Sequence, residues 1–180
     1  MTGAIFVELK KYVDTKFGGN TWEELLAAAG LGGKEFQIMS EYPDTDAVAL
    51  VTAAAAATRK PAGEILEDFG VFIAPDLLEM FWGAIQPEWR TLDVIEHTEQ
   101  TIHSIVRLKD PGARPPALHV TRTSAGEVQI DYRSSRKMCA LARGIARGIA
   151  GHFKEAITIG ESECMHRGDS RCLISVRLAG

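Results

Sequence analysis

The sequence lacks long hydrophobic runs, and this absence bears on where the protein works. Its most uniform apolar tract, Ala53–Ala57, is far shorter than the roughly 18 residues that suggest a transmembrane helix. The first residues, Met1 to Val13, alternate apolar and charged side chains, which is atypical of a secretory signal. We therefore expect a cytoplasmic protein with no membrane association.

Cysteines are also few, and acidic residues outnumber basic ones. An odd count of three cysteines without a secretory signal argues against a disulfide framework and favours a reducing compartment. The net charge of -4 and the absence of a long basic run argue against nucleic-acid binding. What remains, with 46% hydrophobic residues over 180 positions, is typical of a globular domain with a sizeable core.

A series of helices is predicted over residues 1–108, because apolar side chains recur there at helical spacing between glycine and proline residues. Thr21 and Glu24 have the spacing of a capping box at one helix start, and Thr45 or Asp46 can cap the next helix. Pro75 predicts the opening of a separate segment. The helix that carries His103 is expected from about Trp89 to Leu108.

The second half changes character. Strands are predicted at Ala117–Thr123, Glu127–Tyr132, Ala156–Glu163 and Arg171–Leu178, with a helix over Ser135–Phe153. Helices followed by a small antiparallel sheet indicate an α+β fold. We expect one domain over 1–180, with a helical lobe over about 1–85 and a sheet lobe over about 86–180.

Three features in this order suggest a metal-binding cofactor that also carries carboxylates. His103, beside an apolar helix face, can offer an imidazole to a metal, although His97, His119 and His152 are equal candidates in isolation. The proline pair ending in Pro116 follows, and then the Tyr-x-Ser-x-Arg run at Tyr132, Ser134 and Arg136. Two hydroxyls and a guanidinium suit the binding of a carboxylate.

The spacing of these parts resembles that of the H-NOX (haem nitric oxide/oxygen binding) family, in its bacterial NO-sensing type, which is related to the haem domain of soluble guanylate cyclase. The resemblance extends over essentially the whole chain. Its other matching segments are Met1–Phe6, Leu9–Val13, Tyr42-Pro43-Asp44, Phe69-Gly70 and the C-terminal hairpin that contains cysteine and histidine.

The resemblance implies haem b bound between the two lobes, with a role for each part. His103 falls on the family's proximal iron ligand, and Pro116 on the proline that distorts the haem. Tyr132, Ser134 and Arg136 fall on the motif that binds the haem propionates. NO bound opposite His103 would weaken the iron–histidine bond, and binding of the gas would thereby cause a movement between the lobes.

The same resemblance bears on which gas is bound. Oxygen-binding members place a distal tyrosine over the iron, and that position is Leu141 here. The other candidates for the distal pocket are also apolar: Ile5, Leu9, Leu66 and Ile73. Bound O₂ depends on a hydrogen-bond donor more than NO or CO does. The sequence therefore predicts an NO sensor that excludes O₂.

The cysteines suggest a second metal. Cys139, Cys164 and Cys172 with His166 would make a Cys₃His zinc site, which some NO-sensing members of the family resemble in pattern. Glu161 and His152 are alternative fourth ligands, and three unligated buried cysteines are the competing interpretation. If zinc is bound, thiol oxidation would release it and provide a redox input.

The sequence contains no motif typical of a kinase, cyclase or hydrolase. We therefore expect a sensor without catalysis of its own, and the family resemblance implies a histidine kinase or a cyclic-di-GMP enzyme as its partner in trans. Two alternatives stay open at this point. One is a haem enzyme of the peroxidase or NO dioxygenase type, and the other is a haem-free interaction domain.

Overall fold

The structure is a computed structural model that describes residues 1–179. These residues form seven α-helices and a four-stranded antiparallel sheet, which confirms the α+β class. The helices are α1 (Gly3–Phe17), α2 (Thr21–Ala28), α3 (Asp44–Thr58), α4 (Ala62–Met80), α5 (Thr91–His97), α6 (Ser104–Lys109) and α7 (Cys139–Phe153). The strands are β1 (Ala117–Ser124), β2 (Glu127–Arg133), β3 (Ile157–Glu163) and β4 (Cys172–Leu178).

Several predicted boundaries are wrong for local reasons. Thr21 is the first residue of α2, and its hydroxyl bonds the Gly18 carbonyl, so it forms no capping box with Glu24. Helix α3 begins directly after Pro43, before either predicted cap. Helix α7 begins at Cys139 rather than Ser135, because Lys137 adopts a left-handed backbone with φ 52°.

Pro75 was expected to open a new segment, and it lies inside α4 instead. Proline removes one backbone donor, but the helix continues because its buried face, including Ile73, Ala74 and Leu78, packs on both sides of the proline. Here tertiary packing outweighs a local helix-breaking signal.

The sheet has the strand order β1-β2-β4-β3. Strand β2 is central, and Tyr132 pairs with Leu118 on β1 and with Cys172 on β4. One core cluster joins this sheet to α5 and α7, and a second joins the helices α1, α2, α3 and α4 to one another. The sheet cluster also contains Ala74 and Leu78 of α4, and the helical cluster contains Met138, so the division into lobes near residue 85 stays a prediction.

Helices α4 and α7 connect the lobes at unusually short range. A Cβ atom added to Gly70 of α4 would lie 2.5 Å from the Leu141 carbonyl oxygen, and one added to Gly144 of α7 would lie 2.0 Å from the Glu67 carbonyl oxygen. Only glycine permits the two backbones to approach so closely. Glu67 also accepts hydrogen bonds from Arg143 and Arg147, at 3.2 and 2.7 Å.

None of the helices in residues 1–179 combines the length and the apolar composition that a membrane crossing requires.

Candidate haem site and thiol cluster

His103 lies at the end of a π-helical turn, Glu99–His103, which separates α5 from α6. The backbone N–H of His103 bonds the Thr98 carbonyl at 2.9 Å, an i→i+5 bond that the sequence pattern did not predict. The predicted helix from Trp89 to Leu108 is therefore three consecutive helical pieces that begin at Thr91. Such π-turns recur at functional sites, since they re-aim side chains that a regular helix would place elsewhere.

The imidazole of His103 is held by one carboxylate. Its Nδ1 lies 2.8 Å from Oε2 of Glu99, and its side chain is 13% exposed. Burial lowers the pKa of His103, with Glu99 acting in the opposite direction, so the ring is neutral at pH 7. Within the described chain only Nδ1 of this ring takes part in hydrogen bonding. That leaves Nε2, the ring's other nitrogen, for a metal.

Glu99 is a residue that the sequence reasoning missed. Burial by itself would raise its pKa, but hydrogen bonds from His103 and Arg107, and from the backbone N–H of Leu118, hold the pKa of Glu99 below its usual range. The signal was its position four residues before His103, a spacing that brings side chains together on a helix.

The competing histidines are placed differently. His97 stacks on Trp89 with ring centroids 4.5 Å apart, and its Nδ1 bonds the Asp93 carbonyl of its own helix. His119 and His152 are exposed. Among these rings, His103 alone combines substantial burial with a carboxylate partner.

The structure brings the Tyr-x-Ser-x-Arg residues together at the end of β2. Tyr132 is buried, and burial raises its pKa to about 12, against the lowering effects of Ser134 and Arg136. The Ser134 hydroxyl oxygen accepts a hydrogen bond from the Arg136 backbone N–H at 3.3 Å. The phenol is therefore a neutral hydrogen-bond donor at physiological pH, as a carboxylate ligand requires.

The guanidinium of Arg136 contacts a carboxylate and a backbone carbonyl oxygen. It lies 3.4 Å from Oδ2 of Asp44 and donates to the Arg114 carbonyl at 2.5 Å. These groups line a polar cavity of about 290 Å³, together with Met1, Glu41, Tyr42 and Gly112. Asp44 thus shows that the position accepts a carboxylate, which is the chemistry of a haem propionate.

The predicted distal residues also come together. Leu9 and Ile73 are buried in the helical core cluster, whereas Ile5, Leu66 and Leu141 pack against it and keep part of their surface exposed. All five side chains are apolar. Pro116 is half-buried and lies directly before β1, two residues from the Leu118 backbone that Glu99 binds. These residues fit a haem: a neutral imidazole, an apolar cluster and a carboxylate-binding corner.

The three cysteines form a buried cluster with a carboxylate. Cys139, Cys164, Cys172 and Glu161 place their candidate ligand atoms within 4.8 Å of one another. The Sγ atom of Cys164 lies 3.8 Å from that of Cys139 and 3.9 Å from that of Cys172. Burial raises the pKa of the Cys139 and Cys172 thiols, so both are protonated at neutral pH in the free protein.

The structure places Glu161, and not His166, with these cysteines. His166 is exposed, and its Nε2 lies 2.6 Å from the Lys137 carbonyl oxygen. Glu161 instead lies on the inward face of β3, beside a register shift between Glu161 and Glu163. The alternation of side chains along β3, which puts Glu161 on the same face as Ile157 and Ile159, is the sequence signal that points to Glu161.

Comparisons with known proteins agree with this fold. The family model described as Haem-NO-binding matches residues 2–161. An H-NOX protein from S. oneidensis, solved in the Fe(II)NO ligation state, has a TM-score of 0.93 and 23% identity, with both chains fully covered. An Fe(II) unliganded H-NOX protein from K. algicida has a TM-score of 0.88 and 19% identity, over 100% of this chain and 97% of that one.

One curated relative is a soluble guanylate cyclase, gcy-32, of Caenorhabditis elegans. It is 23% identical over 157 residues, which are 83% of this chain and 23% of the relative. The chain therefore spans about a quarter of that protein's length.

Proposed function

Because the chain belongs to the Haem-NO-binding (H-NOX) family of haem-based gas sensors, we propose that it binds haem b through His103 and senses nitric oxide. The observation that carries this proposal is His103 itself, a half-buried neutral imidazole whose Nδ1 is held by Glu99 and whose Nε2 is left for iron. Haem would be held by His103 and would supply an iron that binds a gas.

The residues of the chain have separate tasks in this proposal. Tyr132, Ser134 and Arg136 bind the propionates, with Arg136 exchanging Asp44 for a haem carboxylate. Pro116, in the segment before β1, would be the residue that distorts the haem. The apolar distal residues exclude water and offer no hydrogen bond to O₂, which favours NO and CO.

The signalling step is a change in the position of His103. When the gas binds, His103 and the π-turn would be the part of the chain that shifts relative to the helical lobe. Helices α4 and α7 join the lobes, and their backbones approach closely at Gly70 and Gly144. A shift of one lobe therefore changes the angle between the two lobes. We propose that this two-state element acts on a histidine kinase or a cyclic-di-GMP enzyme in trans, without catalysis in the chain itself.

Replacement of His103 tests the haem assignment. We expect His103→Ala to lose haem or to hold it weakly, whereas His97→Ala, the matched change on the same helical stretch, keeps haem. The measurement is the Soret absorbance of the purified ferrous proteins with and without NO. A His103→Ala protein with normal haem content and an unchanged ferrous spectrum would sink the assignment.

A second proposal concerns the thiol cluster. Three thiols and one carboxylate within 4.8 Å are a donor set that suits Zn²⁺. We propose that the reduced protein binds zinc there. Hydrogen peroxide would oxidise two of the thiolates to a disulfide and be reduced, with two protons from solvent, to two molecules of water, which removes two of the zinc ligands. This would give the sensor its redox input.

The haem-enzyme alternative has weaker support. A peroxidase or an NO dioxygenase needs a polar acid or base over the iron, and the distal candidates Ile5, Leu66 and Leu141 are apolar.

A further inference from the structure

Glu99 receives three hydrogen bonds from three different parts of the chain. Its Oε2 accepts from Nδ1 of His103 at 2.8 Å and from the backbone N–H of Leu118 at 3.2 Å. Its Oε1 accepts from Nη2 of Arg107 at 2.5 Å. Because an ionised carboxylate only accepts hydrogen bonds, the imidazole must be the donor, and its proton is on Nδ1.

The backbone around Glu99 supports this arrangement. Glu99 and His103 are the first and last residues of the π-turn, so the irregular turn itself sets their separation. Leu118 lies on β1, which is an edge strand of the sheet, and its N–H is directed to Glu99 while the strand pairs with β2 on its other side. The carboxylate therefore bridges the helical segment of His103 and the start of the sheet.

We propose that Glu99 is the positioning residue of the iron ligand: it fixes His103 as the Nδ1–H tautomer and ties it to the chain segment that follows Pro116. This inference rests on the proposed haem site. A carboxylate partner on the far ring nitrogen fixes the ring orientation and raises the basicity of the nitrogen that binds the metal. The same oxygen, Oε2, serves both His103 and Leu118, so a displacement of the imidazole is passed directly to β1.

The tautomer can be measured before haem is added. In the haem-free protein we expect ¹⁵N NMR of the histidine side chain to show Nδ1–H for His103. Glu99→Gln should keep this tautomer, since its amide oxygen still accepts, whereas Glu99→Leu should shift His103 toward the Nε2–H form. His97, whose Nδ1 lies 2.8 Å from the Asp93 carbonyl oxygen, is the internal control and should not change.

The loaded ferrous protein supplies the second readout. We expect the iron–histidine stretching band in the resonance Raman spectrum to move to lower frequency in Glu99→Gln and further in Glu99→Leu. Haem dissociation should become faster by on the order of 10–100-fold in Glu99→Leu. Glu96→Gln, which removes a carboxylate that bonds Arg122 rather than His103, should leave the band in place.

The outcomes separate this inference from the haem assignment. A Glu99→Leu protein with an unchanged His103 tautomer and an unchanged stretching band overturns the role of Glu99 and leaves the haem site intact. If Glu99→Leu does not fold, an unshifted band in Glu99→Gln overturns it equally. Absence of any iron–histidine band from the wild-type protein would instead contradict the proposed function.

Discussion

Tyr132 on β2 lies directly opposite Cys172 on β4, so the phenol of the candidate propionate site and a thiol of the cysteine cluster occupy neighbouring central strands. Both residues are buried, at 3% and 0% exposure. On its other side Tyr132 pairs with Leu118, whose backbone binds Glu99. One position of β2 thus adjoins the candidate propionate corner, the His103 segment and the thiol cluster, which is where the two proposed inputs would meet.

The first prediction concerns the ionisation of Tyr132. Burial raises the pKa of Tyr132 to about 12, so the folded protein favours the neutral phenol. The stability that the neutral phenol contributes is fully present below pH 10, the ordinary pKa of tyrosine, and is lost as the pH rises through about 12. The difference in tyrosinate absorbance between wild type and Tyr132→Phe should therefore be small at pH 10 and appear only near pH 12. A full difference signal by pH 10 would show that the phenol is not buried as described.

The second prediction concerns zinc. The reduced protein should bind about one Zn²⁺ with release of protons, because the pKa values of the Cys139 and Cys172 thiols are raised and ligation requires thiolates. Glu161→Gln should weaken binding, and His166→Ala should not, since His166 is directed to the Lys137 carbonyl. Metal analysis and titration with Co²⁺ as a spectroscopic probe give the stoichiometry. No metal in the reduced protein, or a loss caused by His166→Ala alone, would contradict the proposed ligand set.

The position of Glu161 shows which features of the fold a local sequence pattern can predict. The sequence predicts all four strands to within one residue at each end, because alternation and turn residues are local signals. The same alternation places Glu161 on the inward face of β3 with Ile157 and Ile159. Ligand chemistry alone favours His166, whereas the short turn after Cys164 directs the His166 ring to the Lys137 carbonyl oxygen.

The haem region shows what the pattern does not contain. His103, Tyr132, Ser134 and Arg136 were found as a motif, whereas the π-turn was not, since an i→i+5 bond has no periodic signature in a short segment. The pairing of Arg136 with Asp44 joins residues 92 positions apart, which only the tertiary fold brings together. The helix boundary expected at Pro75 is wrong for a related reason, since tertiary packing keeps Pro75 inside α4.

The third prediction follows from that pair. Asp44→Asn should raise haem affinity by at most about five-fold, because Asp44 is 41% exposed and such ion pairs contribute about 0.2–1 kcal/mol. The change frees the Arg136 guanidinium and removes a negative charge beside the propionates. Asp14→Asn, which alters net charge equally at a surface pair with Lys10, is the control. Haem transfer to an excess of a stronger haem-binding protein measures the effect, and weaker retention in Asp44→Asn would show that Asp44 helps to hold haem.

The fourth prediction concerns gas selectivity. Leu141→Tyr should allow the ferrous protein to bind O₂, because it adds a hydrogen-bond donor to an otherwise apolar cluster. Leu141→Phe is the matched control, since it adds the ring without the hydroxyl, and it should behave like the wild type. Absorbance spectra of the ferrous proteins in air decide the question. A stable oxy spectrum from the wild type or from Leu141→Phe would refute the assignment of this position.

The fifth prediction tests the close contact of α4 and α7. Gly144→Ala should destabilise the protein by roughly 1–3 kcal/mol, because its Cβ would lie 2.0 Å from the Glu67 carbonyl oxygen and must force the helices apart. Gly151→Ala on the same helix has no neighbour within 4 Å and should stabilise it by up to about 1 kcal/mol.

Urea unfolding of both variants measures these opposite changes directly, and it can be carried out on the haem-free protein, so the result is independent of haem binding. Since α4 carries Leu66 and α7 carries Leu141, forcing the helices apart should also widen the distal cluster. Equal stability of Gly144→Ala and Gly151→Ala would show that the two backbones have room to separate, and the lobes would then need another rigid connection to transmit a movement of His103.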